Sequence, residues 1–197
     1  VNGFATNSCF FYTDRTGEPY KGYKKGRYWS MRNRDLEAIK RQVQGIKYIS
    51  PMQWANSGNN NVVRGQKAGT YNIRGVYPDY FNIETQHIYY GRLFNEIDKR
   101  KVCLIGTRVY EVLFKPGEDP TGQYIRVNGI YYQVIGVIKA KPRASIGGRT
   151  EESVMIPFST LQQTSNNGDK FWFLCVTGED GYSCDKITED VKTLLKS

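Results

Sequence analysis

Between Gly75 and Val137 the chain repeats one pattern: a short apolar run followed by a turn marked with glycine or proline, at intervals too short for helices. It passes through G-V-Y-P-D-Y-F (Gly75 to Phe81), G-R-L-F (Gly91 to Phe94), V-C-L-I-G (Val102 to Gly106), D-P-T-G (Asp119 to Gly122) and V-I-G-V (Val134 to Val137). Such a run predicts a β-rich unit closed by tight turns. Its clearest local signal is Asn128-Gly129, the preferred pair for a two-residue type I′ hairpin, between Tyr124 to Val127 and Ile130 to Val137. No acid, base or nucleophile recurs among these landmarks, so function has to be argued from architecture.

The flanking segments carry a different pattern. Cys9-Phe10-Phe11-Tyr12 predicts a buried strand within Gly3 to Thr13, and Asn33 is placed to cap a helix with Leu36, Ile39 and Val43 on one face and Gly45 at its end. Ile46 to Ala55 reads as a second strand. Within the middle run, Thr107 is placed to cap a short helix carrying Val109, Val112 and Leu113, and Asp119-Pro120-Thr121-Gly122 turns the chain back. Lys139 to Glu152, basic and poor in apolar residues, reads as an exposed loop. After it come a strand at Val154 to Ile156, a brief helix capped by Ser159, a strand from Phe171 to Thr177 and a helix on Ile187, Val191, Leu194 and Leu195 with Ser183 as its cap. The ends, each too small to bury a sheet alone, are expected to pair. The expected class is α+β: residues 1–58 plus 151–197 form one discontinuous β-α-β subdomain, and residues 59–150 form an inserted β-rich one.

Composition sets the function classes. Fifteen tyrosines suit half-exposed sheet faces, and 28 Lys and Arg against 19 Asp and Glu give a net charge of +9, attractive to any polyanion. The densest basic stretch, Lys21 to Arg34, is interleaved with Tyr23, Tyr28 and Trp29 and superficially resembles a nucleic-acid surface, but reads as a solvated loop leading into the helix. No segment approaches the roughly 20 apolar residues of a membrane-spanning helix. The start at Val1 rather than Met predicts a fragment or a processed chain.

Catalytic patterns are missing. There is no G-x-x-x-x-G-K-[ST], no G-x-G-x-x-G after a strand and no G-x-S-x-G. The one histidine, His87, has no neighbouring Cys or Ser. Asp79, Glu84, Glu96, Asp98, Glu118 and Asp119 mostly adjoin Pro or Gly, where carboxylates serve turns; Asp98 and Asp119 would be catalytic only around a shared cleft. No catalytic, cofactor-binding or metal-binding residue is expected, and the chain is not expected to be an enzyme. Of the four cysteines, Cys9 and Cys103 read as core residues, and one disulfide, between Cys175 and Cys184, is open in an oxidising compartment.

Taken in order, V-V-R-G (Val62 to Gly65), G-V-Y-P-D-Y-F, G-R-L-F with Asp98 following, V-C-L-I-G, Leu113-Phe114, D-P-T-G, I-R-V-N-G (Ile125 to Gly129), V-I-G-V and I-P-F-S-T-L (Ile156 to Leu161) resemble the periplasmic core domain of MacB-like ABC transporter permeases. The resemblance implies a porter-like subdomain built from both chain ends and an inserted β-rich one. It implies a domain carried in the periplasm between the first two transmembrane helices of an inner-membrane permease that works as a homodimer, with two copies per transporter. ATP would be hydrolysed by a separate or fused ATP-binding domain, and the periplasmic part would transmit motion and dock an adaptor or another periplasmic protein during efflux, with no cofactor and no nucleic acid. Lys139, Lys141, Arg143 and Arg149 are the expected docking surface. The alternative is a secreted or periplasmic binding module for an acidic glycan or peptide, which predicts a concave, aromatic-lined groove.

Overall fold

The computed structural model describes residues 4–12, 31–141, 147–166 and 168–196. Strand β1 (Ser8–Tyr12) alternates, with Cys9 and Phe11 buried on one side. After β2 (Met31–Arg32), α1 (Asn33–Gln42) presents Leu36 and Ile39 to the core. Its cap is Arg32 rather than Asn33: the Asp35 carboxylate accepts the Arg32 N–H at 2.8 Å, while the Asn33 amide exchanges hydrogen bonds with Gln162. Gly45, at φ +83°, then reverses the chain into β3 (Ile46–Trp54).

The middle contains β4 (Val62–Arg64), β5 (Lys67–Gly69), β6 (Asn72–Val76), the one-turn helix α2 (Tyr80–Ile83), β7 (Gln86–Gly91) and β8 (Val102–Gly106). Then come α3 (Thr107–Leu113), capped at Gly106 rather than Thr107, and the hairpin of β9 (Tyr124–Val127) and β10 (Ile130–Ala140). Asn128 and Gly129 both have positive φ, +50° and +80°, as a type I′ turn requires. Because β10 runs to Ala140, Lys139 belongs to a strand, not to a loop. A 3₁₀ turn (Thr150–Glu152) with Thr150 buried leads into β11 (Ser153–Pro157), so Lys139 to Glu152 is not the single exposed loop expected. The chain ends with α4 (Phe158–Thr164), which starts after Pro157 and not at Ser159, then β12 (Lys170–Phe171), β13 (Phe173–Gly178) and α5 (Cys184–Lys196). Ser183 does cap α5, its hydroxyl accepting the Lys186 N–H at 3.1 Å.

Among the described residues, eleven strands form one mixed sheet in the order β1-β13-β3-β6-β11-β8-β10-β9-β4-β5, with β7 added on β10. β6 with β11 and β8 with β10 run parallel, and the other pairs are antiparallel. One face carries two clusters. The first packs Leu36, Ile39, Ile187 and Val191 on β1 and β13, and the second packs Val109 and Leu113 on the strands around β8. The opposite face is covered by Tyr80, Phe81, Ile83 and Phe94. Since β6, from the middle of the chain, lies between β3 and β11, the sheet runs through both sequence segments.

Candidate functional site

The four residues expected to dock a partner fall in unlike surroundings. Lys139 is exposed on β10 opposite His87 of β7, which is also exposed. Lys141 follows it, its N–H donating to the Thr85 carbonyl at 3.0 Å. Arg149 is already engaged, with Nε and Nη2 donating to Glu151 Oε1 at 3.0 and 2.5 Å. Arg143 lies outside the described residues, as does most of the basic stretch, residues 21–30.

The acids serve the backbone. Asp98 accepts Arg92 Nη1 at 2.7 Å, Arg92 Nη2 at 3.1 Å and the Asn95 N–H at 2.8 Å, and the Arg92 guanidinium holds its carboxyl below the usual range. Asp119 accepts the Thr121 N–H at 2.9 Å in its own turn, and Glu118 joins Arg64 to the Lys115 N–H. Asp79 accepts the Ile49 N–H at 3.1 Å. Asp98 and Asp119 thus stabilise separate turns. No cluster of three or more metal-ligating side chains occurs among the described residues.

The disulfide is Cys9–Cys184, Cα to Cα 5.7 Å, and not the expected Cys175–Cys184. Strand alternation is the reason. Val176 of β13 pairs with Cys9 and shares the α5-covered face, which turns the neighbouring Cys175 to the opposite face. Cys103 and Cys175 are fully buried thiols whose pKa burial pushes up, so they are poor nucleophiles.

Sequence reasoning missed a buried polar network. Arg74 Nη2 donates to Ser153 Oγ at 3.0 Å and Thr150 Oγ1 at 3.3 Å; Thr150 in turn donates to Glu84 Oε1 at 2.9 Å, which also accepts Gln86 Nε2 at 3.0 Å. It ties β6, the residue after α2, the start of β7 and the 3₁₀ turn together inside the sheet face covered by α2. Its one trace in the sequence is a charged residue between Ile73 and Val76. A 500 Å³ groove near α1 is lined by Tyr77, Phe94 and Phe158, and its acids Glu37, Asp79, Glu96 and Asp98 outnumber Lys40 and Lys99, the wrong balance for an acidic ligand.

The family model described as the MacB-like periplasmic core domain matches residues 5–194. A macrolide export ATP-binding/permease protein MacB of Bdellovibrio bacteriovorus is 32% identical over 130 residues, 64% of this chain and 19% of that protein. The corresponding MacB of Rhodospirillum rubrum is 28% identical over 166 residues, 83% of this chain and 25% of that protein. The chain therefore spans a quarter or less of the length of these relatives. The crystal structure of the periplasmic region of MacB from Actinobacillus actinomycetemcomitans superposes with a TM-score of 0.79 at 20% identity, covering 100% of this chain and 86% of that one. The extracellular domain of the ABC-type transporter YknZ gives a TM-score of 0.66 at 18% identity, covering 95% and 88%. These structures share the fold, and the family match over nearly the whole length settles membership: the chain belongs to the family of MacB-like periplasmic core domains.

Proposed function

We propose that this chain is the periplasmic domain of an inner-membrane ABC transporter permease of the export type, and that it couples ATP hydrolysis in a cytoplasmic domain to movement outside the membrane. In this reading two copies work in one transporter, each divided into a porter-like part from residues 1–58 plus 151–197 and an inserted part from residues 59–150. The domain docks an adaptor or another periplasmic protein and does no chemistry of its own. The observation that carries the reading is the family match across residues 5–194. Carboxylates committed to turns and deeply buried thiols agree with a mechanical role.

Protease accessibility tests the placement. In spheroplasts made from cells producing the parent protein, the domain should be cleaved by added protease while a cytoplasmic marker survives. Protection of the domain until the inner membrane is lysed would overturn the reading.

A further inference from the structure

Among the described residues, the sheet has one uncovered face at its β5 end. Register sets Ala68, Val63, Arg126 and Tyr131 in one row across β5, β4, β9 and β10, and sets Tyr124 beside Gln133 in the next row. The other face of these strands carries Val62, Ile125, Val127 and Tyr132, all buried. Because side chains alternate along a strand, the first set faces away from that core. Tyr124 and Tyr131 are 58% and 60% exposed, and Arg126 is exposed beside them.

Positive charge gathers along this face. The Arg126 guanidinium lies 5.8 Å from the centre of the Tyr131 ring. Arg100 Nη1 donates to Gln133 Oε1 at 3.0 Å, which brings that cation to the edge of the tyrosine rows. Arg100 and Arg126 form no salt bridge among the described residues, whereas Arg64, Arg92 and Arg149 each hold a carboxylate. Asp119, on the adjoining turn, accepts the Thr121 N–H at 2.9 Å and forms no salt bridge with these cations among the described residues.

We propose that this face, formed by Tyr124, Arg126, Tyr131, Gln133 and Arg100, docks an acidic segment of a partner protein. Guanidinium forks that hold no carboxylate can donate bidentately to one, and tyrosines supply rigid contact area at small entropic cost. A bilayer is the poorer occupant, since membrane-surface binding relies on protruding Leu, Phe or Trp, and this face offers tyrosine hydroxyls and a glutamine amide. The proposal rests on the docking role given above and names both its place and the chemistry of the partner.

The test titrates the 197-residue chain with an oligo-glutamate peptide, and separately with phosphatidylglycerol vesicles, following backbone amide shifts by NMR. Saturable, salt-sensitive peptide binding is expected, with shifts at Tyr124, Arg126, Tyr131 and Gln133. Arg100→Glu with Arg126→Glu should weaken it about tenfold, equivalent to about 1.4 kcal/mol. Tyr131→Ala, which changes no charge, should weaken it less, and Lys139→Glu with Lys141→Glu should leave it unchanged. Absence of saturable peptide binding, or binding to vesicles alone, overturns the proposal. Peptide binding lost on reversing Lys139 and Lys141 but kept on reversing Arg100 and Arg126 overturns this surface while leaving the docking role intact; that role fails by the protease test instead.

Discussion

Arg74 and Glu84 are both fully buried, and neither has water to fall back on. Removing the cation leaves a carboxylate hydrogen-bonded to Thr150 and Gln86 without its compensating charge. Arg74→Met should therefore destabilise the fold by roughly 3–5 kcal/mol, seen as a lower urea midpoint with an unchanged slope. Asp98 makes a pH prediction of definite sign. Its folded pKa lies below the unfolded value of about 3.9, so its contribution is fully present above that value and is lost as pH falls through the folded pKa. Between neutral pH and strong acid, Asp98→Asn should lose less stability than the wild type in paired urea titrations. Asp98 was legible as a turn residue because it follows G-R-L-F within a few positions. Arg74 was not, because nothing local distinguishes a buried arginine from one that leaves a strand face for solvent.

At the scale of elements, the disulfide fastens β1 to the first residue of α5 across a separation of 175 residues. Closing so long a loop restricts the unfolded chain, so Cys9→Ser with Cys184→Ser should cost about 2–5 kcal/mol and lower the melting temperature in a calorimetric scan. The native oxidised protein should resist maleimide labelling, with Cys103 and Cys175 reacting only after denaturation. Helices and turns were readable where their signals are local: the Leu36 and Ile39 face, the Asn128-Gly129 turn and the Ser183 cap. Helix starts moved by one or two residues wherever the backbone preferred another cap, as Arg32 with Asp35 and Pro157 before α4 show. The disulfide was misread because sequence proximity of Cys175 to Cys184 says nothing about which side of β13 each thiol meets. Lys139 was misread because a charged residue on the exposed side of a strand looks like loop.

At the scale of the molecule, the α+β class followed from two patterns of apolar spacing, but the strand order did not. Pairings such as β6 with β11 and β1 with β13 join distant residues, and no local signal encodes them. The result, among the described residues, is one continuous eleven-stranded sheet, with β2 and β12 paired separately beside it, a scaffold suited to moving as a body rather than to reshaping around a substrate. Transmission, as proposed, is read out by the coupling of ATP hydrolysis to export. In the parent transporter reconstituted in vesicles, residues 5–194 would be replaced by a Gly-Ser linker, with ATP hydrolysis and export followed together. If the domain transmits motion, hydrolysis persists while export is lost; export continuing at the wild-type rate without the domain would rule transmission out.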